Sequence, residues 1–204
     1  MRAALFDLDG VILDTESQYS CFWGEMGRLF HPEVPDFSSR IKGQTLTEIY
    51  DRWFADDLSL QEDITRRLDA FEDQMQYNYI KGSRAYVESL RRRGVHTAIV
   101  TSSNQAKMSN VHRAHPELSQ LFEHVLTSEN FAASKPAPDG YLMGAKVFGL
   151  EPSECVVFED SINGLRAGRA AGCFVVGLAT TLDAATIAPL CDLCVNDFNS
   201  PALP

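Results

Sequence analysis

From residue 83 onward, the sequence alternates short apolar runs rich in β-branched residues with polar helical patterns. Ser83 caps a predicted helix, and the run VHTAIV after it predicts a strand ending at Thr101. The pattern continues with a polar helix over 104–114, the strand HVLT, a helix from Pro138 to near Gly149 and the strand CVVF. Strands joined in this way by helical crossovers predict an α/β fold with a doubly wound parallel sheet, a Rossmann-like core.

The segment from residue 15 to residue 80 interrupts this alternation. It carries three helical patterns, SQYSCFWGEMGRLF, TEIYDRWF and LSLQEDITRRLDAFEDQMQYNYI, and no clear strand. The first strand, within ALF, precedes it, and the helix that begins at Ser83 follows it. We therefore expect a small α-helical cap domain over 15–80, inserted into a catalytic core formed by 1–14 and 81–204.

Charge and composition restrict the partners and the compartment. The 204 residues carry a formal net charge of −10, so the overall field repels a phosphate backbone and no nucleic-acid partner is expected. The first apolar stretch is too short for a signal peptide, and no run approaches the ~18 residues of a membrane span. An odd count of 5 scattered cysteines fits a reducing compartment. We expect a cytoplasmic protein with no membrane partner, and a monomer by default.

Polar residues follow the strands whose carboxyl ends can be located. They are Asp7 and Asp9 after ALF, Thr101 after AIV, Lys135 in the loop after HVLT, and Glu159 and Asp160 after VVF. In a doubly wound sheet, ligands bind outside the carboxyl ends of the strands. The sequence therefore predicts that carboxylates, a hydroxyl and an ammonium group meet in one crevice.

Closely spaced carboxylates remain ionised together only when a cation lies between them. Oxygen ligands with few nitrogens or sulfurs nearby favour Mg²⁺, which binds one or two carboxylates together with a substrate phosphate. An EF-hand calcium loop does not fit, because the ligand at its fifth position would be Val11 and its closing glutamate would be Gln18. Mg²⁺ is therefore the predicted cofactor.

A phosphate ester is the substrate class that these groups suit. Asp7 is a candidate nucleophile that attacks phosphorus and forms an aspartyl phosphate. Asp9 is placed to protonate the leaving oxygen and then to activate water. Thr101 and Lys135 would hold the phosphoryl oxygens and neutralise their charge.

Four segments resemble, in order and spacing, the signature motifs of the haloacid dehalogenase-like phosphatases. They are FDLDGVILDTE, IVTSS, SKPAPDGYL and VVFEDSINGLRAGRAAG, which together extend from residue 5 to about residue 176. The resemblance is to the branch with a helical cap after the first motif, which includes β-phosphoglucomutase and small sugar-phosphate phosphatases. It implies that Asp7 is the nucleophile, Asp9 the acid/base, and Thr101, the backbone at Ser102 and Lys135 the phosphate binders.

The same resemblance implies a set of metal ligands. Asp160 and Asp7 would bind Mg²⁺ together with the Asp9 carbonyl, and Glu159 is a further contributor. A dehalogenase activity is disfavoured, because the dehalogenases of this superfamily lack a carboxylate at the position of Asp9.

The cap distinguishes a phosphatase from a mutase. The mutases resemble this chain at Asp14-Thr15 and Lys42-Gly43, but they carry a histidine and a phosphate-binding arginine where this chain has Tyr19 and Leu46. Without that arginine a bisphosphate intermediate is held less well. We therefore predict a phosphatase acting on a small phosphorylated metabolite, with a β-phosphoglucomutase-type mutase as the alternative.

Three cap residues are candidates for contacting the substrate: Lys42, Gly43 and Gln44. Two further hypotheses remain from the residues alone. One is a signalling receiver domain, which also forms an aspartyl phosphate but has its acceptor mid-chain and no cap. The other is a catalytically weak scaffold that kept the fold.

Overall fold

A computed structural model describes residues 1–42, 44–55 and 57–204 of the chain. Its sheet has six parallel strands in the order β3-β2-β1-β4-β5-β6, the arrangement of a Rossmann-like core. The strands are β1 (Ala3–Phe6), β2 (His96–Val100), β3 (His124–Leu126), β4 (Cys155–Glu159), β5 (Phe174–Leu178) and β6 (Leu193–Val195). The predicted doubly wound α/β fold is confirmed.

Strand β1 lies at the centre of the sheet and is buried on both faces. Leu5 aligns with Ala98 of β2 and with Val157 of β4. Successive side chains of a strand point to opposite faces. Leu5 accordingly packs in one hydrophobic cluster and Phe6 in another, where its ring stacks on Phe158 at 4.5 Å between centroids.

Helices cover both faces of the sheet. The helices of the core are α5 (Ser83–Arg92), α6 (Gln105–Ala114), α7 (Leu118–Leu121), α8 (Asp139–Val147), α9 (Ile162–Ala170) and α10 (Ala184–Ile187). Helices α5, α6 and α7 contribute apolar side chains to the cluster that contains Phe6, and α8, α9 and α10 to the cluster that contains Leu5. These two faces correspond to the two helical layers of a doubly wound sheet.

The inserted segment forms four helices with a core of their own: α1 (Glu16–Phe30), α2 (Phe37–Arg40), α3 (Leu46–Trp53) and α4 (Leu58–Glu72). A separate cluster of buried apolar residues, including Trp23, Phe37 and Ile64, holds these helices together. Helices α1 and α4 have 15 residues each, and among the described residues no helix is both long and apolar enough to cross a membrane. The inserted helical cap is therefore confirmed.

The third helical pattern of the cap ends earlier than its sequence suggests. The pattern continues to Ile80, whereas α4 ends at Glu72. The residues after it bond instead to the segment that enters the cap: the Ile80 N–H donates to the Ile12 carbonyl at 2.9 Å, and the Asp14 N–H donates to the Asn78 carbonyl at 2.8 Å. The two connections between cap and core thus run side by side. The exact limits of the cap, 15 and 80, stay a prediction.

Candidate active site

The carboxyl ends of the three central strands bring the predicted residues to one edge of the sheet. Asp7 follows β1, and its N–H donates to the Phe158 carbonyl of β4 at 3.0 Å. Thr101 follows β2, and Asp160 follows β4. This edge, between β1 and its neighbours, is where doubly wound sheets bind their ligands.

Lys135 reaches this edge from the loop before α8 and is almost completely buried. Its Nζ donates to Asp7 Oδ1 at 2.7 Å, to Glu159 Oε1 at 2.6 Å and to the Val100 carbonyl at 3.2 Å, and it lies 5.2 Å from the centroid of the Tyr141 ring. Burial alone would lower the pKa of the ammonium, but the carboxylates of Asp7 and Glu159 outweigh it and raise the Lys135 pKa above its usual value. Lys135 is therefore a fixed positive charge beside Asp7.

The carboxylate of Glu159 is fully buried, and both of its oxygens accept hydrogen bonds. Oε1 accepts from Lys135 and from the Tyr141 hydroxyl at 2.7 Å. Oε2 accepts from the N–H groups of Asp160 and Ser161 at 3.1 and 3.2 Å. With both oxygens occupied, Glu159 is better suited to holding Lys135 and the loop after β4 than to binding a metal directly.

Asp160 has an unpaired oxygen. Oδ2 of Asp160 is buried and has no hydrogen-bond partner within the described residues. The backbone of Gly10, at a φ of 72°, passes so close that a Cβ there would lie 2.1 Å from this oxygen. Burial raises the Asp160 pKa well above its usual range, and the nearby carboxylates of Glu16, Glu159 and Asp7 raise it further. Such an arrangement is costly without a cation.

A divalent cation fits these residues. Carboxylate oxygens of Asp7, Glu159 and Asp160 lie within 4.8 Å of one another. Burial, opposed by Lys135, raises the Asp7 pKa to about 7. Since hard oxygen ligands suit Mg²⁺, Asp7 and Asp160 are the side chains that would hold it.

Asp9 points to a different set of partners from Asp7. Both of its oxygens lie 2.5 Å from Lys107 Nζ, Oδ2 also accepts from Ser103 Oγ at 3.1 Å, and Oδ1 accepts from the Thr15 hydroxyl. Burial raises the Asp9 pKa, but the charge and hydrogen bonds of Lys107, with those of Thr15 and Ser103, outweigh it, so the pKa is lowered overall. The carboxylate of Asp9 is turned towards Lys107, which leaves its carbonyl as the predicted metal ligand.

Thr101 and Ser102 lie between β2 and helix α6. Thr101 is 1% exposed, and its Oγ1 accepts from the Ser103 N–H at 3.0 Å. Helix α6 begins just after them, capped by the Asn104 side chain. Both residues line the cavity beside Asp7, and backbone N–H groups before a helix are favourable partners for a phosphoryl group.

A cavity of about 690 Å³ separates this edge of the sheet from the cap. Two of the three predicted cap residues, Lys42 and Gln44, line it, and Gly43 lies outside the described residues. Lys42 Nζ lies 3.0 Å from Glu16 Oε2, and the Lys42 carbonyl accepts from Asn163 Nδ2 of helix α9 at 3.1 Å. The Asn163 bond joins cap and core at the cavity.

Sequence reasoning missed Lys107, the cation that holds Asp9. A signal was present: Lys107 lies in the buried stripe of α6 with Met108 and Val111, so a lysine occupies a position where an amphipathic helix places an apolar residue. A buried lysine of this kind is paired in most proteins. Its partner, Asp9, lies 98 residues away in the chain, so the sequence pattern does not indicate this pair.

Comparisons with known proteins identify the class to which this fold and site belong. The haloacid dehalogenase-like hydrolase family matches residues 1–172, and the chain belongs to that family. The predicted resemblance is confirmed, and the chain is an enzyme of this family rather than a signalling receiver domain.

The relatives include both phosphatases and a mutase. Hexitol phosphatase A of Escherichia coli is 31% identical over 89% of this chain and 85% of its own length. β-Phosphoglucomutase of Mycobacterium bovis is 30% identical over 93% of this chain and 86% of its own length. The solved β-phosphoglucomutase of Clostridium difficile superposes with a TM-score of 0.81 at 23% identity, covering 98% of this chain and 92% of that one, which supports the fold.

Proposed function

We propose that this enzyme is a Mg²⁺-dependent phosphatase that hydrolyses a small phosphomonoester through an aspartyl phosphate on Asp7. The observation that carries the proposal is the surroundings of Asp7. Its carboxylate lies 2.7 Å from the Lys135 ammonium and close to Asp160, whose buried oxygen lacks a partner among the described residues. A nucleophile that lies beside the Lys135 ammonium and beside a site for a metal cation is suited to attack on an anionic phosphoryl group.

The proposed reaction has two steps at phosphorus. An oxygen of Asp7 attacks phosphorus while the bond to the ester oxygen breaks. Asp9, ionised beside Lys107 in the free enzyme, takes up a proton as the anionic substrate binds and supplies it to that leaving oxygen. Water then attacks the phosphorus of the aspartyl phosphate, Asp9 takes its proton, and the bond to Asp7 breaks to release phosphate. Thr101, the backbone at Ser102 and Lys135 hold the phosphoryl oxygens. Mg²⁺, when bound by Asp7, Asp160 and the Asp9 carbonyl, supplies positive charge to the phosphoryl group.

The cavity supports a single phosphate rather than two. The lysines among its described lining residues are Lys42, Lys107 and Lys135, and each is paired with a carboxylate. The described lining includes no arginine, and it includes Leu46, which stands where the sequence resemblance places the phosphate-binding arginine of the mutases. A second phosphate would find no unpaired cation there, so transfer to water is favoured over transfer to a sugar phosphate.

A sugar or hexitol phosphate is the substrate class that we propose. The cavity volume of about 690 Å³ is in the range of small-molecule sites, and its cap side is lined by hydroxyl, amide and aromatic side chains such as Thr47, Gln44 and Trp23. The names of two relatives, a hexitol phosphatase and a β-phosphoglucomutase, point to the same class. Lys42, Gly43 and Gln44 are proposed to contact the substrate from the cap.

The test is phosphate release from a panel of esters, with Asp7→Asn as the background. The panel contains sorbitol 6-phosphate, mannitol 1-phosphate, glucose 6-phosphate, ribose 5-phosphate and p-nitrophenyl phosphate, each assayed with MgCl₂ and with EDTA. We expect release that depends on Mg²⁺ and falls by at least about 10⁴-fold in Asp7→Asn, as for other lost nucleophiles. Release from no ester above that background would contradict the proposal and favour a catalytically weak scaffold.

A phosphosugar mutase is the second candidate, because a relative of that name is 30% identical over most of the chain. The experiment that separates the two supplies β-glucose 1-phosphate with a trace of glucose 1,6-bisphosphate. Faster formation of glucose 6-phosphate than of free phosphate identifies a mutase. Faster formation of free phosphate identifies a phosphatase.

We also propose that the enzyme acts as a monomer in the cytoplasm, with a cap that extends from 15 to 80. The five cysteines are unpaired, as expected in a reducing compartment. The neighbouring connections at Ile12–Asp14 and Asn78–Ile80 support these cap limits. Light scattering measures the oligomeric state, and a dimer would contradict the first part of the proposal.

A further inference from the structure

Lys107 is a buried ammonium group whose charged partner among the described residues is Asp9. Its side chain is 4% exposed, and Nζ lies 2.5 Å from both Asp9 oxygens. A lysine is almost never buried without a paired charge, and removing the cation leaves the carboxylate held only by two hydroxyl groups, those of Thr15 and Ser103. Lys107 therefore fixes the direction in which the Asp9 carboxylate points.

The same ammonium contacts the cap. Lys107 Nζ lies 4.4 Å from the centroid of the Tyr19 ring, a cation–π distance. The Tyr19 hydroxyl donates to Glu72 Oε1 at 2.7 Å, and Glu72 is the last residue of α4. Tyr19 and Phe71 pack against both the cap cluster and one cluster of the core. The position of Lys107 is therefore tied to the position of the cap.

We propose that Lys107 is a positioning residue for the reaction: it holds the Asp9 carboxylate where a proton is exchanged with the leaving oxygen, and Tyr19 makes this alignment depend on the seated cap. The inference rests on the proposed phosphatase function. It assigns Lys107 no contact with phosphate, because both Asp9 oxygens and the Tyr19 ring surround its ammonium. Lys135 differs in this respect, since it contacts Asp7 itself.

The kinetics of a Lys107 variant should differ according to whether Lys107 only stabilises the fold or also positions Asp9. Loss of Asp9 alignment slows only reactions whose leaving oxygen needs a proton, and alkyl esters such as sugar phosphates need one. p-Nitrophenolate leaves readily without a proton. Since kcat/KM reports the steps up to the first irreversible one, it isolates the attack of Asp7 from the later hydrolysis of the aspartyl phosphate.

The experiment measures kcat/KM of wild type, Lys107→Met, Asp9→Asn and the double variant on two esters: p-nitrophenyl phosphate and the sugar or hexitol phosphate of the panel that wild type hydrolyses fastest. We expect Lys107→Met to lose about 10–100-fold on the sugar phosphate, a part of the ~10²–10⁴ that general acid–base catalysis supplies, and to keep its value on p-nitrophenyl phosphate. Because Lys107 acts through Asp9, the double variant should equal Asp9→Asn rather than lose activity further.

The other outcomes of this experiment would contradict the proposed role of Lys107. Equal losses on both esters would show a structural ion pair, and an unchanged sugar-phosphate value would show that Asp9 needs no Lys107. If Lys107→Met does not fold because Asp9 is left unpaired, the double variant, which removes both charges, is compared with Asp9→Asn, and a further loss contradicts the inference. Failure of the proposed function is distinguishable, because wild type would then release phosphate from neither ester.

Discussion

Two buried lysines lie beside the candidate active site, and their surroundings differ. Lys135 bridges two carboxylates, those of Asp7 and Glu159, beneath the Tyr141 ring. All of these residues belong to the core: Asp7 and Glu159 lie at strand ends, Lys135 in the loop before α8, and Tyr141 in α8. This first cluster, the Lys135 cluster, is therefore independent of the cap.

The second, the Lys107 cluster, crosses from core to cap. Lys107 pairs with one carboxylate, that of Asp9, while the ring above it belongs to Tyr19 of the cap. The two lysine side chains are equally buried, at 4% exposure each. The difference teaches that burial alone does not define the surroundings of a charged residue: Lys135 contacts core residues, whereas Lys107 also contacts Tyr19 of the cap.

The largest effect that separates the clusters is on catalysis. We expect Lys135→Met to reduce kcat/KM by about 10²–10³ on sugar phosphate and p-nitrophenyl phosphate alike, because it removes a fixed charge beside the attacking carboxylate. The measurement is the same pair of esters as for Lys107→Met. A loss confined to the sugar phosphate would make the two lysines equivalent and remove the distinction.

The next effect is on stability. Lys135→Met leaves two buried carboxylates without their cation, and breaking a buried ion pair costs about 3–5 kcal/mol. Lys107→Met also breaks a buried pair, but it leaves a single carboxylate that keeps two hydroxyl partners, so a loss at the lower end of that range, about 3 kcal/mol, is expected. Urea unfolding in EDTA measures both, with Lys81→Met as a control: Lys81 is 79% exposed, and its pair with Asp197 is worth less than about 1 kcal/mol. The reverse order of the two losses would contradict the comparison.

The clusters should respond oppositely to pH in the metal-free protein. The Asp7 pKa is raised from 3.8 to about 7, so the folded state keeps a proton that the unfolded chain loses, and the Asp7 contribution to stability falls as the pH rises from about 4 to 7. The Asp9 pKa is lowered, so its contribution is present above about pH 4 and is lost in acid.

Urea midpoints of wild type and Asp7→Asn between pH 4 and 8, in EDTA, test this dependence. The fall in stability with rising pH that is due to Asp7 should be absent in Asp7→Asn. In wild type, adding Mg²⁺ in place of EDTA should reduce this fall, because the ion competes with the proton for the Asp7 carboxylate. Identical pH slopes in the two proteins would refute the assignment to Asp7.

The smallest effects come from a matched pair of tyrosines. Each hydroxyl donates to a carboxylate at 2.7 Å: Tyr141 to Glu159, and Tyr19 to Glu72. Both Phe variants should lower the free energy of unfolding by about 1.5–3 kcal/mol, with Tyr141→Phe the larger loss because Glu159 is fully buried. Tyr19→Phe keeps the ring over Lys107 and should change kcat/KM by a few-fold only. A larger stability loss in Tyr19→Phe would indicate that the cap is the more tightly bonded region.

The sequence was sufficient to predict the sheet and the core half of the site. Strands such as VHTAIV and CVVF are recognisable by β-branched runs between helical patterns, and polar residues at their ends meet because the strands are parallel. Gly164 and Gly168 let helix α9 lie close to the sheet, because a Cβ at these positions would meet Glu159 and Val157.

The Lys107 cluster and the end of the cap were less predictable for physical reasons. Lys107 becomes informative only when α6 is packed beside Asp9, which is distant in sequence, and the Tyr19 contact depends on how the cap is oriented. Helical patterning also extended α4 to Ile80, because Tyr77 and Ile80 are apolar positions that pack against the core instead. Long-range contacts of this kind are not encoded in local periodicity.

The central place of β1 has a consequence for synthesis of the chain. Leu5 is translated before the cap, whereas the residues that flank it in the sheet, Ala98 and Val157, are translated after the cap. The cap has its own apolar interior and can fold while the strand that carries Asp7 still has no neighbours. Asp7 is thus translated well before the strands that surround it, and its surroundings are complete only once β4 has been made.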